Sequence, residues 1–287
     1  MKKMKQIVHT WMFGDSPLEE NTASLARVGA DGADLSITYE GRHTTEQALR
    51  KLDIQRIMAD SGLKVMAVTP LYMHPDLELC HPDERVRQIA IDFSKAGADI
   101  AAQAGCDRML ISPSWISVRH QYYRCYEDDW KQAVDSLRII AEYAGRQGVS
   151  LMIEPINRYR VSLVHTVEEG LRMMREVDMP KVGLVPDIFH MNMEEPLPLA
   201  QTLREANGHL LCLHIGDNNR KTPGGGYLDW KPILQAISDM DMEIPLSHEP
   251  VFLYFSEQKV AQDQSCRKFF EDHLANGIRH LNAVMEA

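Results

Sequence analysis

Residues 149–187 read VSLMIEPINRYRVSLVHTVEEGLRMMREVDMPKVGLVPD, and one complete structural unit lies within them. The run 149–154 is almost wholly apolar and ends on a carboxylate, the pattern of a strand covered on both faces. Residues 163–177 carry apolar side chains at helical spacing, and a second apolar run at 182–187 again ends on an acid. Two both-sides-buried strands separated by a helix predict a parallel pair joined by a crossover.

The same unit recurs in both directions. Strands are expected at 6–12, 34–38, 64–69, 108–112, 149–154, 182–187, 210–215 and 243–248. Helices are expected near 18–29, 44–61, 83–105, 127–147, 163–177, 197–207, 230–240 and 259–284. Glycines at 29, 62, 105, 148 and 208 stand where helices should stop, because a helix readily ends on a left-handed residue. Pro186 cannot donate to a ladder, so a bulge or bend is expected near the end of the sixth strand. A length of 287 residues allows one barrel or two ordinary domains. Eight strand-plus-helix repeats without a compositional break favour one (β/α)8 barrel domain over 1–287. The last segment, 259–284, either closes that barrel or contributes to a homo-oligomer.

Composition narrows the function. Hydrophobic residues make up 44% of the chain and charged ones 25%, enough for a large core. The 41 acidic and 31 basic residues give a formal charge of -10, and no basic block offsets it, which argues against a nucleic-acid partner. The start, MKKMKQIVHTWMF, has a basic tip but an apolar run broken by His9 and Thr10, so it reads as the first strand and not as a signal peptide. No stretch approaches the roughly 20 apolar residues a membrane span needs. The five cysteines, at 80, 106, 125, 212 and 266, lack CxxC spacing and are odd in number, which fits a reducing cytoplasm.

Four potential ligands end the last four strand units: Glu154 in LMIEP, Asp187 in LVPDIFH, His214 in LCLHIGD and Glu249 in LSHEP. Their separations of 33, 27 and 35 residues each equal about one repeat, so closure of a barrel brings all four to one mouth. A carboxylate after a strand also serves as a helix N-cap, and Asp187 is placed to do so. Carboxylates with one imidazole suit Mn2+, Co2+ or Mg2+, and Zn2+ also fits. The two longer loops after strands, 70–82 and 113–126, are aromatic and partly polar, and are expected to cover a substrate.

The segments EPINRY (154–159), DIFHMNMEE (187–195) and HIGDNNRKTPGGGYLDW (214–230), with Glu249, resemble the xylose-isomerase-like barrel sugar isomerases and epimerases. The resemblance is nearest to the ketose 3-epimerases that act on tagatose, psicose or ribulose. It covers the second half of the chain well and the first half through strand rhythm. It implies a metal-dependent enzyme in which Glu154, Asp187, His214 and Glu249 bind one divalent ion, Mn2+ first among those candidates. Glu154 and Glu249 would also act as an acid/base pair on a ketose carbon through an enediolate, inverting C3. His190 and Arg220 would bind substrate oxygens, and Trp115 would contribute to an apolar wall. Gly224, Gly225 and Gly226 form a lid turn, an anion-facing backbone or a plain surface turn.

One departure bears on the substrate. Where typical ketose 3-epimerases carry a glutamate after NRF or NRY, this chain has Arg160, an exchange of acceptor for donor that makes a phosphorylated or carboxylated sugar more attractive. The ligand set also permits aldose–ketose or hydroxypyruvate-type isomerisation, an inosose-type dehydration, or a non-catalytic metal-dependent sugar-binding protein. An apurinic endonuclease of similar architecture needs a cluster of metals. This chain offers Asp229, Trp230 and Lys231 where that class has a further histidine, and Ser112 with Pro113 at the fourth strand end.

Overall fold

The computed structural model describes residues 1–117, 123–240, 242–251, 254 and 256–287, so positions 118–122 of the expected covering loop lie outside the described residues. The strands are β1 (Gln6–His9), β2 (Gly32–Ile37), β3 (Val65–Pro70), β4 (Arg108–Ile111), β5 (Ser150–Ile153), β6 (Val182–Leu184), β7 (Leu213–Ile215) and β8 (Leu246–His248). The helices are α1 (Leu18–Val28), α2 (Glu46–Leu49), α3 (Ile54–Ala59), α4 (Glu84–Gln103), α5 (Tyr126–Arg146) and α6 (Val167–Val177). They continue with α7 (Ile188–Glu194), α8 (Leu199–Glu205), α9 (Trp230–Ser238), α10 (Glu257–Gln262) and α11 (Gln264–Glu286).

All strand pairs are parallel, in the order β6-β5-β4-β3-β2-β1-β8-β7. The ring closes between the two outer strands through the bridges Leu184↔Leu210 and Asp187↔His214. There Leu211 N donates to Leu184 O (2.9 Å) and His214 N to Pro186 O (2.9 Å). The result is a single-domain (β/α)8 barrel. Pro186 falls just beyond β6, where its carbonyl serves the closure and its missing N–H costs no ladder bond. Each strand contributes buried apolar side chains, and the helices cover the outside.

Alternation along β1 fixes what faces the interior. Gln6 reaches outward, its amide donating to Ile278 O of α11 (3.3 Å), so His9, on the opposite face, points into the barrel. α11 itself packs against α1 and α9, which makes it the helix that completes the ring. The expected stops at Gly29, Gly62, Gly105, Gly148 and Gly208 all adopt positive φ, from 68° to 87°. Gly29 is the left-handed cap of α1, and its N–H turns back to Ala26 O.

Several boundaries differ from the expected ones. β1 stops at His9, and Thr10–Phe13 form a 3-10 turn that carries Trp11 over the barrel mouth. The helix expected over 44–61 is two, α2 capped by Thr45 and α3 capped by Asp53. An additional short helix, α7, begins directly on Asp187.

Candidate metal centre

Glu154 follows β5, Asp187 precedes α7, His214 lies in β7 and Glu249 follows β8. One ligand atom from each of the four lies within 4.8 Å of all the others. His214 Nδ1 faces Glu154 Oε1 at 3.1 Å and Glu249 Oε2 at 3.3 Å. Asp187 divides its oxygens. Oδ1 accepts from Phe189 N (2.8 Å) as the cap of α7, while Oδ2 faces the Arg220 guanidinium. The capping and ligating readings of this residue are therefore compatible.

The other nitrogen of His214 points into the barrel. Nε2 lies 3.5 Å from Asp34 Oδ2 and 3.3 Å from His9 Nε2, which is itself 3.3 Å from the same Asp34 oxygen. Thr69 Oγ1 and Ser247 Oγ donate to the two Asp34 oxygens at 2.7 and 3.0 Å. Asp34, fully buried, is thereby satisfied on both oxygens and can hold His214 with Nδ1 turned toward the carboxylates. His9, Asp34 and Trp11, whose indole N–H donates to Glu249 Oε1 (3.1 Å), were not identified from sequence. For His9 the signal is a polar residue interrupting an apolar strand run; Asp34 and Trp11 carry none.

Electrostatics separates the two glutamates. Burial raises Glu154 to about 7, against the opposing pull of His214 and with help from Glu249 and Asp187. Burial also pushes Glu249 upward, but Arg220, His9 and His214 outweigh it and hold this carboxyl well below its ordinary value. His214 is lowered by burial and raised more strongly by Asp34, Glu154 and Glu249, ending well above an ordinary imidazole. Burial lowers His190 to about 4. Asn157 Nδ2 donates to His190 Nδ1 (2.7 Å), so the neutral ring carries its proton on Nε2, 3.8 Å from Asp187 Oδ2.

The residues present fit a divalent cation. Three carboxylates and one imidazole form an oxygen-rich set of the kind that holds Mn2+, Mg2+ or Co2+. Glu249 Oε2 is buried without a hydrogen-bond partner although Arg220 Nη2 stands 2.8 Å away, so a charge approaches it outside donor geometry. The Arg220 guanidinium, close to both Asp187 and Glu249, stands where the carboxylates call for a cation.

Arg220 belongs to a loop built around Asp217. Asp217 accepts from Asn218 N (2.9 Å), Gly224 N (3.0 Å), Leu228 N (3.2 Å) and the Trp230 indole (3.1 Å). A Cβ on Gly226 would come within 2.2 Å of Asp217 Oδ1, so this glycine permits close packing of the loop. Gly224 N is thus committed to Asp217. Arg220 has a left-handed backbone (φ 60°), fixed by its N–H to Asp217 O (2.8 Å) and its carbonyl to Val251 N (2.7 Å).

Above the cluster opens a cavity of about 520 Å³. Glu154, Glu249, His190, His214, Arg220 and Arg160 line it, with an apolar wall that includes Trp11, Phe189, Met73 and Tyr159. From the two long loops, Leu71, Met73 and Ile116 reach the lining. Trp115, next to Ile116, is partly buried, and its backbone N–H donates to Glu78 Oε1 (3.0 Å).

A closed parallel barrel with a buried cluster able to coordinate a metal near its carboxyl-terminal face defines the class of protein. The chain belongs to the xylose isomerase-like TIM barrel family, whose model matches residues 23–266. It is 36% identical over 122 residues to a D-psicose 3-epimerase of Ruminiclostridium cellulolyticum, a match covering 42% of this chain and 41% of that one. It is also 36% identical over 114 residues to a 3-dehydro-D-guloside 4-epimerase of Escherichia coli K12, covering 40% and 43%. The match thus spans about two fifths of the length of these curated relatives. The crystal structure of D-psicose 3-epimerase with D-tagatose from Clostridium cellulolyticum H10 shares the fold, with TM-score 0.83, 21% identity and coverage of 99% and 100%. Among the described residues no helix is long and apolar enough to cross a membrane.

Proposed function

We propose that this chain is a divalent-metal-dependent epimerase that inverts C3 of a ketose or ketose derivative. The observation that carries the reading is the pair Glu154 and Glu249. Both line the cavity and approach one histidine nitrogen, at 3.1 and 3.3 Å. The epimerase names of the relatives point the same way.

A divalent ion held by Glu154, Asp187, His214 and Glu249 would supply positive charge against the substrate carbonyl and a neighbouring hydroxyl, making the intervening carbon more acidic. One of the two glutamates takes the C3 proton from one face, and the other returns a proton to the opposite face. Two groups are needed because the planar enediolate must be approached from opposite sides. His190, neutral with Nε2–H, donates a hydrogen bond to a substrate oxygen without adding charge. Arg220 orients hydroxyls beside the cluster. Leu71, Met73 and Ile116 help exclude water from the reacting carbon. Mn2+ is the ion we favour, and the five free cysteines fit a reducing compartment such as the cytoplasm.

The test is NMR in D2O with Mn2+-loaded protein and free tagatose, fructose and psicose. Deuterium entering at C3 together with the C3 epimer, and lost in Glu154→Gln and Glu249→Gln, is the expected result. Exchange at C1 with formation of an aldose would replace epimerisation by isomerisation. Metal-dependent sugar binding without exchange would leave a binding protein.

A further inference from the structure

Arg160 stands out among the arginines around the cavity. Arg158, two positions earlier, is neutralised by Glu194, its Nη2 lying 2.6 Å from Oε2. Arg220 is neutralised by Asp187 and Glu249. Arg160 lines the same cavity, is exposed at its mouth, and has no carboxylate within ion-pair distance among the described residues. The acidic groups of the lining are Glu154 and Glu249, and both belong to the cluster at the floor.

The backbone that carries Arg160 is fixed on two sides. Its N–H donates to Asn157 O (2.9 Å), and its carbonyl accepts from Ser117 N (2.9 Å). Asn157 in turn holds His190. The guanidinium therefore projects from a turn tied to the same residue that orients the floor of the site. Burial and then Arg220 disfavour its charge, with Glu249 pulling the other way without forming an ion pair. An anion at the mouth would relieve that repulsion and accept the planar donor fork.

We infer that the substrate carries an acidic group, carboxylate or phosphate, at the end away from the reacting carbon, and that Arg160 binds it. This rests on the epimerase reading of the floor and specifies its substrate class. The sugar then spans the cavity, its carbonyl end at the four-ligand cluster and its anion at Arg160. The formal charge of -10 on the whole chain repels anions at long range, so recognition is local and sensitive to salt.

The experiment compares Mn2+-loaded wild type, Arg160→Gln and Arg160→Glu on matched ketoses: tagatose, tagatose 6-phosphate and tagaturonate. Deuterium exchange in D2O gives kcat/KM, and calorimetry on the same samples gives Kd. The expected result is a preference of about tenfold or more for at least one acidic member, the size of a charged hydrogen bond. Arg160→Gln should collapse that ratio toward one, Arg160→Glu should invert it, and added salt should raise KM for the acidic member alone. Which acidic member gains tells phosphate from carboxylate. Equal use of the neutral ketose, with a ratio indifferent to Arg160→Gln, overturns the inference while the epimerase reading stands. An Arg160-dependent binding preference without exchange on any member supports the acidic group and overturns the epimerase reading. Matching thermal melts of the variants establish that the comparison is between folded proteins.

Discussion

Asp34 is not among the residues that line the cavity, yet it faces the far side of His214, the histidine of the candidate metal cluster. Its Oδ2 lies within 3.5 Å of His214 Nε2 and is shared with His9, while Thr69 and Ser247 hold the carboxylate still. Asp34→Asn keeps the shape, removes the charge and replaces one acceptor oxygen with a donor NH2, so His214, His9, Thr69 and Ser247 compete for a single neutral oxygen and the hold that keeps Nδ1 turned outward weakens. The expected consequence is a loss of about 10–100-fold in Mn2+ affinity with the fold retained, read by calorimetry and circular dichroism. Unchanged affinity would mean that Glu154 and Glu249 alone orient the ring. The contrast with Glu154, Asp187, His214 and Glu249 is instructive about what a sequence exposes. Those four end apolar runs at intervals of one repeat, so the barrel pattern alone gathers them. His9 sits inside a run, where a polar residue looks like an interruption, and Asp34 opens one, where an acid looks like the end of the preceding loop. Only barrel closure brings position 34 beside position 214. Trp11 was hidden for a different reason: its strand stops early, and the 3-10 turn that follows aims the indole at Glu249.

At the scale of elements, the seam between β6 and β7 is formed by bridges outside the regular ladders. Gly183 makes it possible, since a Cβ there would meet His209 O at 2.7 Å and Leu211 Cγ at 2.8 Å. Gly183→Ala is expected to cost about 1–3 kcal/mol, seen as a lower urea midpoint. An unchanged midpoint would show that the seam can widen freely. α6 offers a second test. Thr166 and Glu169 form a reciprocal capping box, worth about 1 kcal/mol, and Glu169 also faces His165 Nδ1 at 3.4 Å. Although burial opposes it, hydrogen bonding to His165 and Tyr126 holds Glu169 at about 2, below its ordinary 4.5. A carboxyl with a depressed folded pKa stabilises fully above 4.5, and its contribution disappears as pH falls toward 2. The Tm difference between wild type and Glu169→Gln should therefore be largest just above pH 4.5, fall as pH rises through the titration of His165, which, despite burial, Glu169 raises, and shrink again as pH drops toward 2. A difference that persists at pH 2 would assign the effect to shape and not charge. Element existence was legible because apolar runs and terminating glycines punctuate the chain. Boundaries were less so: Thr45 and Asp53 each cap a separate helix inside what reads as one periodic stretch, and Asp187 starts α7 where the pattern reads as loop.

For the molecule as a whole, the barrel gathers three carboxylates at one mouth in a chain whose formal charge is already -10. Assembling like charges in a buried place costs stability unless a cation joins them. Arg220 supplies one such charge to Asp187 and Glu249, yet Glu249 Oε2 remains without a hydrogen bond and Glu154 is driven toward its protonated form. Arg220 therefore offsets the cluster only in part, and a divalent ion should stabilise the folded chain by mass action. At a concentration of 100 times its Kd the gain is about 2.7 kcal/mol. For a domain of 287 residues that corresponds to a rise in Tm of roughly 4–5 °C. Differential scanning fluorimetry with Mn2+ and with EDTA measures it, and Asp187→Asn should shrink the rise by removing one ligand. The direction of the variant's own effect separates two explanations. If the cluster is a metal centre, Asp187→Asn relieves repulsion in the metal-free protein and loses most of the Mn2+ response. If Arg220 is the intended partner, the variant is destabilised without metal, because a buried guanidinium is left with one carboxylate, and Mn2+ moves the Tm of neither form.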